Sequence, residues 1–337
     1  MSEESTISNL EMLRRVIPSP PAMLYKRVLP ELDNYCQEFI RQSSLAVLSF
    51  VDDSLGFHFL DCEESLKVAE NQELIFTLPH GTRETRDLQN IQGSLYFLVS
   101  GIGHGLRVNG YAVLSREGIQ FKVTAAYFHC SRAMARANFW EHGNHHLNIE
   151  KPCNGKTLSC MALDCIRLSP WLLLRTQNRN GETELSPRGD PAGFVQVLDE
   201  KTLLLPERPG NKVAISLTNI LDNANVGLAF LVPGQPWVLQ VFATARLTLS
   251  RQRLELLCIR GKLPKVAIEL SVKHWAIYYE EALLNARMWE PTTHCKKTSL
   301  TPFSKVIAEH MNGSGVLGKL SAPIVNAVVK KDLKNLY

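Results

Sequence analysis

With 337 residues, 45% of them apolar and 21% charged, the chain has the balance of a soluble globular protein long enough for two ordinary domains. A net charge of +4 is small for this length and no block of like charges marks a basic tail, which argues against a nucleic-acid partner. The longest apolar runs, such as VGLAFLV, fall far short of the ~20 residues that cross a bilayer, and the acidic MSEESTISNLEMLRR stretch reads as neither a signal nor a transit peptide, so a cytoplasmic protein with no membrane partner is expected.

In chain order, RQSSLAVLSFVDDSLG (residues 41–56) reads as a strand running into a turn, and ELIFTLP (73–79) as a second strand. FLVSGIGHGLRVNGYAVLS (97–115) reads as strand, tight turn, strand, with His104 in the turn. YFHCSRAMARANFWEH (127–142) reads as an amphipathic helix ending in Trp-Glu. The stretch 143–158, rich in Gly, Asn, His and Lys, lacks periodicity and reads as a linker. The same series then returns. RLSPWLLLRTQNRNG (167–181) aligns with the first strand, KTLLLPE (201–207) with the second, and FLVPGQPWVLQVFATARLT (230–248) with the hairpin. WAIYYEEALLNARMWEP (275–291) aligns with the Trp-Glu helix. The last segment reads as a helix, a Gly-Ser hinge and a second amphipathic helix. Short hairpin-linked strands with few helices predict a mainly β, α+β fold: two small barrels with helices packed outside, not a βαβ sheet. The boundaries expected are 13–143, 158–292 and a helical tail over 293–337.

The eight cysteines are irregularly spaced, and several lie in apolar segments where a thiol packs as a small hydrophobe, unlike a disulfide framework. Cys153, Cys160 and Cys165 follow His142, His145 and His146, but no CxxC or HxxxH pair supports zinc, and no metal is expected.

The stretch SPRGDPAGFVQVLDEKTLLLPERPGNK (186–212) carries Arg188, Arg208 and Lys212 at the two ends of a hairpin. In ERPGN, Pro209 and Gly210 suit a type II turn, and Asn211 suits the N-cap of a helix KVAISLTNILDN. A helix start flanked by Arg208 and Lys212, with Arg188 and the Ser186 hydroxyl alongside, suits a phosphate monoester. The plainer alternative is a solvated hairpin with ordinary surface charge. No G-x-G-x-x-G or Walker sequence is present, so Rossmann and P-loop sites are not supported.

These residues, together with LRVNGYAVLS, YFHCSRAMARANFW and PSPPAMLYKRVLPELDNYCQEFIRQSS, resemble the pyridoxamine 5′-phosphate oxidase-like, FMN-binding split-barrel family. The matches resemble a bacterial subgroup with Ser-Pro-Lys/Arg-Gly-Asp-Pro and Arg-Pro-Gly-Asn-Arg/Lys motifs, and they span most of residues 13–312. The resemblance implies a six-stranded split barrel binding FMN at a dimer interface. The flavin phosphate would sit on Arg208–Lys212, with Asn211 in that loop, and the SPRGDP strand would line the isoalloxazine. Val213 departs from the subgroup, which often has a second basic residue there.

The motifs are divided between the halves. The second keeps SPRGDP and RPGNK; the first keeps LRVNG and the Tyr-Phe-His-Cys helix. An intrachain pseudo-dimer is therefore expected, with one complete site and one degenerate one, where Arg83 and Arg86 either hold an anion or form a solvated face. Spacing places His129, Arg132 and Arg136 on one helical stripe, facing the pocket in one reading and solvent in the other, with Tyr127 and Trp140 as core. Cys130 reads as a packed thiol. The functional expectation is an FMN-dependent oxidoreductase acting on a small molecule, with an electron donor or acceptor as partner, working as a pseudo-dimeric monomer or a homodimer. It is not read as a true pyridoxamine phosphate oxidase, whose substrate-phosphate residues cannot be placed. The alternatives are a non-catalytic flavin- or haem-binding carrier or sensor, with His129 or a linker histidine as axial ligand, and a structural protein with both sites dead.

Overall fold

The computed structural model describes residues 5–52, 56–68, 73–77, 88–115, 118–141, 145–210, 212–313 and 315–337. Internal contacts divide the chain into two compact units that interleave in sequence. The first comprises Ala22–Arg132 and Glu280–Asn335; the second comprises Met1–Pro21, Ala133–Tyr279 and Leu336–Tyr337.

The chain opens with β1 (Thr6–Ile7) and α1 (Leu10–Val16), in the second unit. The first unit then takes α2 (Asn34–Arg41), β2 (Leu45–Phe50), β3 (Phe57–Asp61), α3 (Cys62–Ser65), β4 (Leu66–Val68), β5 (Glu73–Phe76), β6 (Leu88–Leu98), β7 (Gly105–Ser115) and β8 (Gly118–His129). Helix α4 (Arg132–Ala137) passes into the second unit, which continues with β9 (Cys153–Gly155), α5 (Cys160–Leu168), β10 (Trp171–Gln177), β11 (Thr183–Gly189), β12 (Gln196–Asp199) and β13 (Thr202–Pro206). It is completed by α6 (Ile215–Asp222), β14 (Asn225–Leu231), β15 (Trp237–Thr248), α7 (Arg251–Glu255) and β16 (Ala267–Tyr279). Helices α8 (Glu281–Asn285), α9 (Phe303–Asn312) and α10 (Val316–Lys334) return to the first unit.

The first unit's sheet runs β3-β2-β6-β7-β8-β5-β4, and the second's runs β11-β10-β14-β15-β16-β13-β12, the same order, with β1 and β9 added on β15 and β16. All pairings are antiparallel, and the ladder between the two long strands breaks at the same place in each, at Asn109/Gly110 and at Phe242/Ala243. The protein is thus mainly β with flanking helices, two copies of one split-barrel fold. Each path has seven strands instead of the expected six, because short β4 and β12 extend the sheet beyond β5 and β13.

Each unit has its own core. In the first, Phe39, Leu48, Phe76, Phe97, Val108 and Phe121 bury between the sheet and α2, with Val306 and Ile307 of α9. In the second, Ile166, Leu172, Leu203, Leu217, Leu239 and Ile268 do the same with α5 and α6. Side-chain caps fix the helix starts: Asp33 accepts from the Cys36 N–H at 2.8 Å, and Ser159 from the Ala162 N–H at 3.3 Å.

Three local readings are corrected. Tyr127–His129 is not helical: β8 runs on to His129, paired with Gly105–Arg107 of β7, and the helix starts only at Arg132. The counterpart WAIYY likewise stays in β16. Full-length pairing with the neighbouring strand outweighs a 3–4 spacing in the sequence. The third concerns the loop after β13. Gly210 does not take positive φ, so the type II turn is absent, and the left-handed residues are Lys212 (φ 64) and Ala214 (φ 58). The cap of α6 is Ala214, without a side-chain hydrogen bond, and Asn211 lies outside the described residues. The Arg14 guanidinium explains the change, donating to the Lys212 carbonyl at 3.0 Å and the Val213 carbonyl at 3.1 Å and so holding an otherwise strained backbone.

Candidate functional site

Two strand ends meet in the second unit. β11 finishes at Gly189, and Asp190 follows, its N–H on the Pro170 carbonyl at 3.1 Å. β13 finishes at Pro206, and Glu207 follows, its N–H on the Val266 carbonyl at 3.0 Å. Each end carries one arginine and one carboxylate, and they pair crosswise. Arg188 reaches Glu207 at 3.2 Å, and Arg208 Nε donates to Asp190 Oδ2 at 2.6 Å. Asp190 has no exposed surface and Arg208 keeps only 9% of its side-chain surface, so this is a buried ion pair. Arg208 Nη1 also donates to the Leu257 carbonyl at 3.0 Å.

Helix α4 closes one side. A Cβ on Gly189 would lie 2.2 Å from the Ala133 carbonyl oxygen, so glycine is what lets the helix backbone rest on the strand end. That contact brings in Arg136, whose Nη2 donates to the Pro209 carbonyl at 2.7 Å. The resulting pocket is lined by Ala133, Arg136, Pro187, Arg188, Gly189, Phe194, Pro206 and Arg208, with a cavity volume of about 30 Å³. The buried Nε of Arg188 has no hydrogen-bond partner there.

A third element adds charge. Ile259 and Lys262 pair across a two-residue turn whose centre, Arg260 (φ 49) and Gly261 (φ 73), is left-handed at both positions, a type I′ hairpin. It presents Arg260 and Lys262 toward Tyr337. The Tyr337 ring lies 5.5 Å from the Arg260 guanidinium, 5.7 Å from that of Arg208 and 5.8 Å from that of Arg136. Its hydroxyl donates to Asp190 Oδ1 at 2.6 Å. Burial first, and then that bond to a carboxylate, pushes the phenol up to about 12. Five cations, Arg136, Arg188, Arg208, Arg260 and Lys262, gather there with two carboxylates, Asp190 and Glu207. The cluster can hold an anion and an aromatic ring.

The expected site residues are thus partly gathered. Arg136, Arg188 and Arg208 line the pocket. Ser186 is buried in β11 and is not among the lining residues. Lys212 is exposed and also outside the lining; its carbonyl is bound by Arg14. His129 ends strand β8 and only Arg132 and Arg136 share helix α4, so the helical stripe of His129, Arg132 and Arg136 does not form. His129 packs edge-on to Tyr127 at 5.0 Å, and Arg132 pairs with Asp332 at 2.8 Å. Cys130 is exposed, not packed, and Trp140 is half-buried while its neighbour Phe139 is the core residue. Arg83, Arg86 and His142 lie outside the described residues. Among the described residues no cluster of His, Cys, Asp or Glu could hold a metal ion. Sequence reasoning missed the roles of Asp190 and Glu207, whose signal is the opposite charge beside each arginine. It also missed Arg260 and Lys262, whose only signal is one Arg-Gly turn.

These features define a split-barrel protein with a cation-lined cleft at the ends of two strands. No family model and no curated protein matches the chain. Among solved structures it is similar to HupZ from Group A Streptococcus, at 18% identity over 32% of this chain and 84% of that one, with a TM-score of 0.28. It is similar to a Clostridium acetobutylicum protein of the pyridoxinephosphate oxidase family related to general stress protein 26, at 13% identity over 35% and 85% of the chains, TM-score 0.27. It is also similar to general stress protein 26 from Bacillus anthracis, at 17% identity over 35% and 90%, TM-score 0.25.

Proposed function

We propose that the protein binds FMN in the cleft of the second unit and acts as a flavin-dependent oxidoreductase on a small molecule in the cytoplasm. The observation that carries this reading is the cationic cluster closing on an aromatic ring. A flavin nucleotide offers both a phosphate dianion and a flat ring system. The residues present fit that chemistry: the buried Nε–H of Arg188 has no hydrogen-bond acceptor, and Arg136 and Arg260 add positive charge beside it. Arg188 and Arg136 would hold the phosphate, while Pro187, Gly189 and Phe194 supply the apolar wall for the ring. The Arg208–Asp190 pair keeps the two strand ends together, so the donors are preorganised. When bound, FMN supplies hydride transfer.

A second reading is a flavin carrier without turnover. It is favoured by the lining, whose side chains are arginine, proline, alanine, glycine and phenylalanine, with no group placed to move a proton. Titrating FMN into the purified full chain and following flavin fluorescence tests binding. Quenching that weakens on raising salt, and in Arg188→Gln, is expected; unquenched flavin at saturating protein overturns the reading. Adding a nicotinamide donor to the loaded protein separates the two roles, since bleaching marks the oxidoreductase and a persistent yellow colour marks the carrier.

A further inference from the structure

The cleft already holds a segment of this chain. Leu336–Tyr337 belongs to the second unit and contacts Arg136 and Arg208 of the cleft lining, with Asp190 and Lys262 beside it. Arg136 Nε donates to the Leu336 carbonyl at 2.8 Å, Lys262 Nζ donates to the Tyr337 main-chain oxygen at 2.8 Å, and the Tyr337 hydroxyl donates to Asp190 at 2.6 Å. The ring lies within cation–π reach of Arg136, Arg208 and Arg260. The segment thus presents what the cluster selects: an aromatic ring with a donor at one end and oxygen acceptors at the other. The segment sits on Arg136 and Arg208, two of the arginines that line the cavity.

We infer that Leu336–Tyr337 is an intramolecular competitor for the cleft, docked when the flavin is absent and displaced when it binds. This rests on the FMN reading above. Both occupants use the Arg136 guanidinium, so the flavin meets only the fraction of molecules in which the segment has left. The apparent affinity falls by that fraction. Three cation–π contacts and three hydrogen bonds, two of them from cationic donors, keep that fraction small. Such a device ties cofactor loading to the state of this segment: whatever captures or modifies Tyr337 raises the flavin affinity of the cleft.

The test uses the full chain with 3-fluorotyrosine at position 337, and the variants Tyr337→Ala and Tyr337→Phe, with folding checked by circular dichroism. FMN binding is read from flavin fluorescence, and docking from the fluorine resonance. The expected result is a shielded fluorine that moves to its solvent position as FMN is added. Tyr337→Ala should bind FMN about tenfold or more tightly than the parent. Tyr337→Phe, which keeps the ring and loses the bond to Asp190, should fall between them. Three results overturn the competitor alone: a fluorine exposed before any FMN is added, a shielded fluorine that saturating FMN does not move, or a Tyr337→Ala affinity equal to or weaker than that of the parent. No FMN binding by the parent or either variant, with the fluorine shielded, overturns the flavin reading and the competitor with it.

Discussion

The two sheets can be laid over each other residue by residue through their ladders. In the second unit Leu172 pairs with Arg188 on one side and Phe230 on the other; in the first, Ala46 pairs with Leu60 and Phe97. Arg188 therefore stands where the first unit has Leu60, Gly189 where it has Asp61, and Asp190 where it has Cys62. Leu60 and Cys62 are buried apolar residues, at 3% and 7% exposure. One strand end is thus tied by crossed ion pairs and the other is packed with apolar side chains, and both sheets form in the same order. The fold does not need the charges. Buried ion pairs are weak stabilisers, because desolvation offsets most of their attraction. Among the described residues they occur in only one copy, which points to what they hold there: two arginines at fixed positions beside a cleft. The first unit has an arginine–tyrosine cluster of its own, with Arg27 and Arg107 at 5.3 and 5.2 Å from the Tyr127 ring. Its counterparts of Arg107 and Tyr127 in the second unit are Gln240 and Ala276, so the two copies have placed their cationic clusters at different points of one topology.

The largest effect should come from cutting one crossed pair. Asp190→Ala leaves Arg208 buried without its partner and the Tyr337 hydroxyl without an acceptor, and should cost about 3–5 kcal/mol in urea unfolding. Replacing both partners, Asp190→Leu with Arg208→Met, imitates the apolar solution of the first unit and should recover most of that loss while abolishing FMN binding. A double variant no more stable than the single one would show that the second sheet does depend on its charges.

Acid should distinguish the copies next. His104 keeps some surface but packs against the rings of Phe39, Phe128 and Phe303 at 5.2, 6.1 and 4.7 Å, and desolvation pulls it down to about 4. Its aligned position in the second unit is Trp237, which cannot titrate and packs on Tyr279 at 5.1 Å. Between the ordinary imidazole value and about 4, the unfolded chain binds a proton that the folded chain refuses. Stability is therefore full above the ordinary value and lost as the pH falls toward about 4, by about 2 kcal/mol between pH 7 and pH 5. Urea unfolding at those two pH values should show the loss in the first unit, and His104→Phe should remove it. An unchanged pH slope in His104→Phe would assign the effect to other groups.

What could be read from the sequence follows the same division. Runs such as LAVLSF and WLLLRTQ bury along their whole length, and the matched hairpins around residues 97–115 and 230–248 are local, so strand pattern and two-copy order were visible. Arg188 and Arg208 stood out because charges interrupted apolar alternation. The continuation of β8 through Tyr127–His129 could not be read, because only pairing with β7 distinguishes it from a helix. The docking of Tyr337 had no local trace at all, since its partner Asp190 is 147 residues away. The left-handed Lys212 and Ala214 depend likewise on Arg14, 198 residues from Lys212.

The smallest effects isolate the backbone approach of α4. Gly189 and Asp61 occupy the same ladder position, yet a Cβ at Gly189 would meet the Ala133 carbonyl oxygen at 2.2 Å, whereas Asp61 carries a full side chain. Asp61 uses it to cap α3, accepting from the Glu63 N–H at 3.0 Å. Gly189→Ala must push α4 off the strand, for about 1–3 kcal/mol of overpacking, and should weaken FMN binding by carrying Arg136 away from Arg188. Asp61→Ala removes only a cap, for about 1 kcal/mol or less, and should leave FMN binding untouched. The informative quantity is the contrast in binding, not in stability: a Gly189→Ala protein that retains full flavin affinity would mean that α4 lies against β11 without contributing its arginine to the cleft.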